Sequence, residues 1–453
     1  MKESKKIGFV CFGEINTPYK LLVTKHDRAL KNLSDMNAEI IDAGIVIDDD
    51  NNQTADDAIE KLLSNNIYCL IICVAGWIPT HTVIRVTDPF RNIPLVLWGL
   101  CGWYENNHIV TTADQAGTTA IRPAFEALGY KFKFIYSVMG EHDPVEKITA
   151  FIKASYAACR LRLSRVGTMG YRDMLLYGTQ YEGYSLRGQL GVEVEPFDML
   201  EIVQNADNLK DERVQEFITF IKQNWVFQKK CDDEIIEKGV KYALSIGNKI
   251  EERGYEAITL CDVDGMKKLL GFPPAMIFML LDHFYGVQTV PENDVMGSVT
   301  QLMVNFATGQ TAAYLEYYEF FKKSVLIGVP DFIPESVTDG KTQVIPTAFG
   351  LLDKSLLNVS KIRTGKVTCS RLSYMNGKYR MHIYTGEART PTNWEEAGWE
   401  QPAPQLPGLE VFLDSCTVEE FAQKVSSQHV IISYGDHREI LKDLCMLLDI
   451  EVI

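Results

Sequence analysis

The strongest constraint on the fold is a regular alternation, in the first third of the chain, between short apolar runs and segments with helical spacing. Amphipathic segments such as 54–64 and 115–128 have the helical spacing. Five apolar runs are typical of buried strands, at 7–12, 39–46, 67–75, 94–100 and 132–137. Strands that alternate with helices pair in parallel through crossover connections, so this pattern predicts a doubly wound parallel sheet.

The loop after the first of these runs speaks against a nucleotide cofactor. It reads Phe12-Gly-Glu-Ile-Asn-Thr-Pro18 and lacks the glycine spacing of a dinucleotide or phosphate loop. We therefore expect no nucleotide cofactor in this domain.

Two further regions follow, and they differ from each other in character. Helical patterns at 207–225 and 233–253, with apolar runs at 257–261, 287–290 and 314–320, predict a second α/β domain. Beyond Pro334 the alternating runs 366–374 and 378–384, joined by Asn376-Gly377, predict a hairpin in a β-rich, barrel-like domain. The predicted fold is therefore α/β, with two doubly wound Rossmann-like domains, 1–165 and 166–335, followed by a β-rich domain, 336–453.

Composition excludes several classes of partner. The formal net charge is −15 and lysines and arginines are not clustered, which argues against a nucleic-acid surface. There is no run of eighteen apolar residues that could cross a membrane. The ten cysteines mostly lie in apolar runs, without a Cys-x-x-Cys pair, and no export signal is recognisable, so we expect a cytoplasmic protein with reduced thiols.

Three residues, far apart in sequence, are candidate ligands for a metal ion. His429 lies at the start of an apolar strand, Glu292 follows Pro291 at the end of another strand, and Glu316 lies within a third. Two carboxylates and an imidazole suit a hard divalent cation with positions left open for a substrate. Two of these residues also have a simpler interpretation. The carboxylate of Glu292 could balance the partial positive charge of a helix N-terminus, and His429 could be an exposed histidine at a strand end. Strand alternation alone does not decide between Glu316 and Glu319.

The segments around these residues resemble L-fucose isomerases and the related L-arabinose isomerases. Gln428-His429 before a strand and a Tyr-Gly is similar to the end of the fucose isomerases, and Glu292-Asn-Asp294 with Glu316, 24 positions further on, is similar to their other two ligands. The segments 165–170 and 191–198 resemble the opening of their middle domain. Leu326-Ile-Gly-Val329 has valine where arabinose isomerases carry a further histidine ligand, which favours the three-ligand arrangement.

The resemblance implies an Mn²⁺-dependent aldose–ketose isomerase, although other divalent cations could serve. Such an enzyme moves a proton between two carbons through an enediol, so Glu292 and Glu316 are predicted to be catalytic as well as metal-binding. The sequence does not say which of them takes the carbon-bound proton. The residues predicted to contact the sugar are Gln428, Trp77, Lys20, Asp262 and Arg389.

The resemblance also implies a homo-oligomer, a trimer or hexamer, in which Trp77 of one subunit covers the site of another. The substrate could be L-fucose, D-arabinose or a substituted hexose such as sulfoquinovose. Two other functions stay open: a non-catalytic sugar-binding protein that kept the fold, and a metal-dependent hydrolase with the same ligands.

Overall fold

The computed structural model describes residues 6–36, 38–209, 212–328, 331–346, 355–392 and 407–453. The chain divides into two compact units, Met1–Cys159 and Arg160–Ile453. Among the described residues, no helix is both long enough and apolar enough to span a bilayer.

The N-terminal unit is a doubly wound α/β domain, as the alternating pattern predicts. Its strands are β1 (Lys6–Phe12), β2 (Glu39–Val46), β3 (Ile67–Val74), β4 (Leu95–Gly99), β5 (Trp103–Glu105), β6 (His108–Val110) and β7 (Phe132–Tyr136). Its helices are α1 (Tyr19–Leu33), α2 (Gln53–Leu63), α3 (Thr80–Thr87), α4 (Asp114–Ala127) and α5 (Val145–Leu161), the last of which continues into the second unit.

Five of these strands form one parallel sheet in the order β2-β1-β3-β4-β7, and β5 and β6 form a separate hairpin. The central strand β3 is buried along nearly its whole length. A strand buried on both faces needs apolar residues at successive positions, which explains why it appears in the sequence as a continuous apolar run.

The second unit begins with another parallel sheet. Strands β8 (Arg165–Met169), β9 (Glu193–Phe197), β11 (Ala257–Leu260) and β12 (Gln288–Val290) lie in the order β12-β11-β8-β9, and β10 (Val226–Phe227) belongs to a small separate sheet. The helices of this region are α6 (Gly183–Ser185), α7 (Met199–Asp207), α8 (Arg213–Asn224), α9 (Asp233–Arg253), α10 (Ala275–Tyr285) and α11 (Val295–Thr308).

One helix boundary expected from sequence is wrong. The helix expected from Asp207 begins at Arg213, because Asp207 is the last residue of the separate helix α7. The side chain of Asp198 accepts a hydrogen bond from the Leu200 N–H and caps the start of that helix, which gives α7 an N-terminus of its own.

A closed antiparallel barrel completes the second unit. Its six strands follow the order β17-β20-β13-β14-β19-β18, and β18 pairs back onto β17 to close it. The strands and helices of this region are β13 (Ala313–Phe320), β14 (Ser324–Gly328), β15 (Gln343–Ile345), β16 (Leu357–Asn358), β17 (Gly365–Met375), β18 (Lys378–Arg389), β19 (Gly408–Leu413), α12 (Val418–Ala422), β20 (His429–Tyr434), α13 (Arg438–Leu447) and β21 (Glu451–Val452).

The turn between β17 and β18 confirms the predicted hairpin. Met375 pairs with Lys378, so only two residues form the loop, and both have positive φ, 52° at Asn376 and 78° at Gly377. Asparagine and glycine tolerate this conformation, and its twist matches that of the flanking strands. The barrel takes β13 and β14 from the segment that the sequence division assigns to the middle domain, so Glu316 lies on a barrel strand.

A buried histidine links α1 to the first sheet in the N-terminal unit. His26 Nε2 lies 3.1 Å from Asp42 Oδ1 on β2, and its Nδ1 lies 2.9 Å from Asp27 Oδ1. The hydrogen bond with Asp42 is the largest of the effects that raise the pKa of His26 to about 9, against the opposing effect of burial. Folding therefore favours the protonated ring.

We expect the stabilising contribution of His26 to be present in full below about pH 6.5 and to be lost as the pH rises through about 9. The difference in unfolding temperature between the wild-type chain and His26→Gln should therefore shrink over this range. Thermal unfolding of both proteins at a series of pH values measures it. A difference that stays constant between these two pH values would contradict the assignment.

Candidate metal centre

Glu292 lies in a strained turn between strand β12 and helix α11. Both Glu292 and Asn293 have positive φ, 61° and 51°, a left-handed conformation that asparagine tolerates but that is uncommon for glutamate. The turn is held by hydrogen bonds from the Glu292 N–H to Asp262 Oδ1, at 2.6 Å, and from the Asn293 N–H to the Leu260 carbonyl, at 2.8 Å. Residues kept in such a conformation by their surroundings are concentrated at functional sites.

Glu316 and His429 are direct neighbours on two barrel strands. In the antiparallel pairing of β13 with β20, Glu316 lies opposite His429. Directly opposed residues project from the same face of a sheet with their side chains close together. Glu319 is exposed further along β13. The structure thus brings Glu316, and not Glu319, next to His429.

The three predicted ligands converge on one point. One ligand atom from each of Glu292, Glu316 and His429 lies within 4.8 Å of the others. His429 Nε2 is 2.9 Å from Glu292 Oε2 and 3.0 Å from Glu316 Oε1. The amide nitrogen of Gln428 is 3.2 Å from the same ring nitrogen and 3.3 Å from Glu316 Oε1.

The hydrogen-bonding capacity of these groups fits a cation at this point. A neutral imidazole nitrogen carries either one hydrogen or one lone pair, so Nε2 cannot satisfy two carboxylates at once. Accordingly, the buried Glu292 Oε2 has no hydrogen-bond partner among the described residues. Two carboxylate oxygens and one imidazole nitrogen are a suitable donor set for Mn²⁺ or a similar ion.

The electrostatics of the three groups agree with this interpretation. Burial acts to lower the pKa of His429, but the neighbouring carboxylates of Asp294, Glu292 and Glu316 raise it to about 10. Burial raises the pKa of Glu292. Burial also acts to raise the pKa of Glu316, but the hydrogen bond with His429 outweighs it and lowers that pKa. The site therefore favours positive charge at the point where the carboxylates meet.

A second layer of buried residues orients His429. Its Nδ1 lies 3.5 Å from Asp294 Oδ2, and Asp294 is bound by Arg371 through two contacts of 2.6 and 3.0 Å. The hydroxyl of Tyr314 donates to the same carboxylate at 2.9 Å. Burial would raise the pKa of Asp294, but the charge of Arg371 holds it well below its ordinary value. A carboxylate behind a ligating histidine fixes the ring with Nε2 facing the metal.

The sequence analysis did not predict two residues, Arg371 and Tyr318, that lie close to the ligands in the fold. Arg371 stands in the middle of β17, which is buried from Val367 to Ser373, and a charged residue at the centre of a predicted strand is a signal that sequence analysis could have used. Tyr318 lies two residues after Glu316 on the same strand. Burial, together with the charges of Glu316, Asp331 and Glu292, raises the pKa of Tyr318 far above its ordinary value.

The residues predicted to bind sugar lie in different surroundings. Gln428 is exposed at the rim of the site. Asp262 is fully buried beneath Glu292, with Oδ2 at 3.3 Å from Lys267 Nζ. Arg389 lies at the end of β18 with its guanidinium 4.5 Å from the centre of the Phe412 ring. Their contact with a sugar stays a prediction.

The remaining sequence predictions concern two residues of the N-terminal unit and one position outside the described residues. Trp77 and Lys20 belong to the N-terminal unit, and both are exposed there. Their sugar-binding role is likewise still a prediction. Val329 lies outside the described residues.

Comparison with known proteins supports a family for the end of the chain. Residues 355–453 match the family described as L-fucose isomerase, C-terminal domain. This stretch includes β17, β18 and β20, and therefore Arg371 and His429. The match confirms the resemblance to fucose isomerase-like proteins.

The other two comparisons add no functional information. No curated protein matches the chain. Among solved structures, the chain is similar to an ABC transporter periplasmic solute binding protein from Actinobacillus succinogenes 130z with bound D-allose, at 10% identity over 73% of this chain and 95% of that chain. The TM-score of 0.18 is too low for this likeness to carry an argument.

We expect Glu316→Gln to weaken Mn²⁺ binding at least about tenfold, since the variant replaces a charged ligand oxygen by a neutral amide. The matched control Glu319→Gln, three positions along the same strand and exposed, should bind Mn²⁺ as the wild type does. Isothermal titration calorimetry measures both affinities. Equal affinity for all three proteins, or loss of binding in Glu319→Gln alone, would contradict the ligand set.

Proposed function

We propose that this chain, whose residues 355–453 belong to the L-fucose isomerase C-terminal domain family, is a metal-dependent aldose–ketose isomerase. The observation that carries the proposal is the convergence of Glu292, Glu316 and His429 on one point. The family match supports sugar isomerisation as the class of reaction. Because two carboxylates and an imidazole suit a divalent cation, we further propose that the reaction depends on a metal ion, Mn²⁺.

Isomerisation requires that a proton leave one carbon and return to its neighbour. A bound divalent cation would supply the charge that stabilises the oxygens of the enediolate. Each carboxylate has two oxygens, so Glu292 and Glu316 can hold a cation with one and accept or donate a proton with the other. His429 would not take part in this transfer, because its Nε2, which lies between the two glutamates, would hold the cation, and its Nδ1 faces Asp294. We therefore assign the acid–base role to the two glutamates as a pair.

Side chains around the site would bind and orient the sugar. Gln428 contacts both Glu316 and His429 from the exposed rim, so its amide is placed to donate to a sugar hydroxyl. Tyr318, two residues after Glu316 on β13, is a second candidate for contact with the sugar. The proposed substrates are L-fucose, D-arabinose and substituted hexoses such as sulfoquinovose.

A homo-oligomer with a shared active site, a trimer or hexamer, is part of the proposal. Trp77 is 39% exposed in the loop after β3, and Ile15 and Tyr19, 53% and 61% exposed, follow β1. These residues share the carboxyl end of one parallel sheet, because β1 and β3 are neighbours in it. An apolar rim of this kind suits contact with another subunit.

We also propose a cytoplasmic location, because six of the ten cysteines are buried and the composition suits a reducing compartment.

The central experiment is an assay of aldoses with the purified protein and Mn²⁺. We expect NMR to show conversion of at least one aldose to its 2-ketose, loss of conversion after chelation, and better recovery with Mn²⁺ than with Ca²⁺, because a compact octahedral ion suits three ligands with open positions. Glu319→Gln serves as the active control.

Three results of this assay would argue against the proposal. Full activity in metal-free protein would contradict the metal centre. Binding of a sugar without turnover would favour a non-catalytic binding protein. Release of two products would favour a hydrolase.

Subunit sharing can be tested by mixing two inactive proteins. Trp77→Ala and Glu316→Gln should each be inactive alone, and subunit exchange should restore part of the activity, because some sites then combine two intact halves. Each variant exchanged with itself is the control. Proven exchange without recovery, or an active monomer in sedimentation, would show that each chain builds its own site.

A further inference from the structure

We propose that Lys267 is a positioning residue for the metal-binding carboxylate Glu292, that it acts through Asp262, and that Asp331 holds it in place. The inference rests on the proposed function, since it assigns Glu292 to a metal. It concerns three buried charged residues that the metal set itself does not include.

The need for a positioning device follows from the backbone of the Glu292 turn. Glu292 and Asn293 are consecutive non-glycine residues with positive φ. Asparagine tolerates this conformation, but glutamate rarely adopts it, so neighbouring groups must hold Glu292 in the turn. The shortest such contact is the hydrogen bond from the Glu292 N–H to Asp262 Oδ1, at 2.6 Å. The position of the Glu292 carboxylate therefore depends on the position of the Asp262 side chain.

Asp262 is in turn fixed by a lysine on the same short segment. Asp262 and Lys267 are the first and last residues of a π-helical turn, Asp262–Lys267, that is separated from β11 by Cys261 alone. The wide turn brings Lys267 Nζ to 3.3 Å from Asp262 Oδ2, the oxygen that does not bind Glu292. Asp262 is fully buried and has no other cation within salt-bridge distance among the described residues. Lys267 thus balances the charge of the carboxylate that holds Glu292.

Asp331 completes the arrangement from a distant part of the chain. Its Oδ1 accepts a hydrogen bond from Lys267 Nζ at 2.9 Å, and both side chains are more than nine-tenths buried. The ammonium is therefore held between two carboxylates and cannot turn away to solvent. Removing a buried charge partner leaves the other charge uncompensated, so loss of Lys267 must disturb Asp262.

The test compares three variants of the full-length protein with the wild type. Lys267→Met removes the charge and keeps the length of the side chain. Asp262→Asn keeps an oxygen for the Glu292 N–H but loses the ion pair. The control Lys249→Met removes a partly buried lysine of the same unit that pairs with Glu201 at 2.9 Å and has no contact with the metal-binding residues among the described ones.

Two properties report on the geometry of the site independently of turnover: the Mn²⁺ dissociation constant and the visible absorption spectrum of the Co²⁺ protein. We expect Lys267→Met and Asp262→Asn to weaken Mn²⁺ binding about 10- to 100-fold, the usual range for groups behind a ligand, and to alter the Co²⁺ spectrum. Lys249→Met should change neither, even if it lowers the unfolding temperature. Added to Glu292→Gln, Lys267→Met should weaken binding little further, because its effect passes through Glu292.

The outcomes separate this inference from the function on which it rests. Wild-type binding in Asp262→Asn, with an unchanged Co²⁺ spectrum, would overturn the positioning role even if Lys267→Met failed to fold. A full additional loss when Lys267→Met is combined with Glu292→Gln would overturn it as well. A wild-type protein that binds neither ion would overturn the proposed function, and with it this role of Lys267.

Discussion

The pairing of β13 with β20 inside the closed barrel is the constraint on which the rest of the site depends. It sets Glu316 opposite His429, although 113 positions separate them in the sequence. A slip of one residue in this register would turn one of the two side chains to the other face of the sheet. Closure of the barrel through β17 and β18 resists such a slip, because each strand is then held on both sides. The barrel therefore fixes two ligands, and the turn after β12 brings the third.

The two sides of the centre are supported by similar means. On the barrel side, Arg371 binds Asp294, which faces His429 Nδ1. On the side of the parallel sheet, Lys267 lies beside Asp262, which binds the backbone of Glu292. In both cases a buried cation compensates a buried carboxylate one step behind a predicted ligand. Such buried ion pairs add little to the free energy of unfolding, because both charges lose their hydration when the chain folds. We infer that they serve to hold the side chains in a defined geometry.

Much of this arrangement could be predicted from sequence, and the missing part has a physical reason. The apolar runs predicted the first parallel sheet because a buried strand leaves few alternatives, and Asn376-Gly377 predicted the hairpin because few residue pairs tolerate its turn. Glu292, Glu316 and His429 were found through residue type and family resemblance. Strand alternation alone did not decide whether Glu316 or Glu319 is the ligand. The choice depends on which residue pairs with His429 on β20, and the sequence of a single strand does not reveal its partner.

The supporting residues were harder to predict, because their role exists only in three dimensions. In the sequence Asp262 is an acidic residue after a strand, from which contact with a sugar is predicted, but the sequence does not show that its buried side chain binds the backbone of Glu292. In the structure Lys267 and Arg371 are buried cations, and a buried cation must have a partner that neutralises it. The sequence around them, Asp264-Gly-Met-Lys-Lys268 and Cys369-Ser-Arg-Leu-Ser373, is not an apolar run, so their burial becomes visible only in three dimensions. In both cases the neutralising partner, Asp262 or Asp294, lies directly behind a predicted metal ligand.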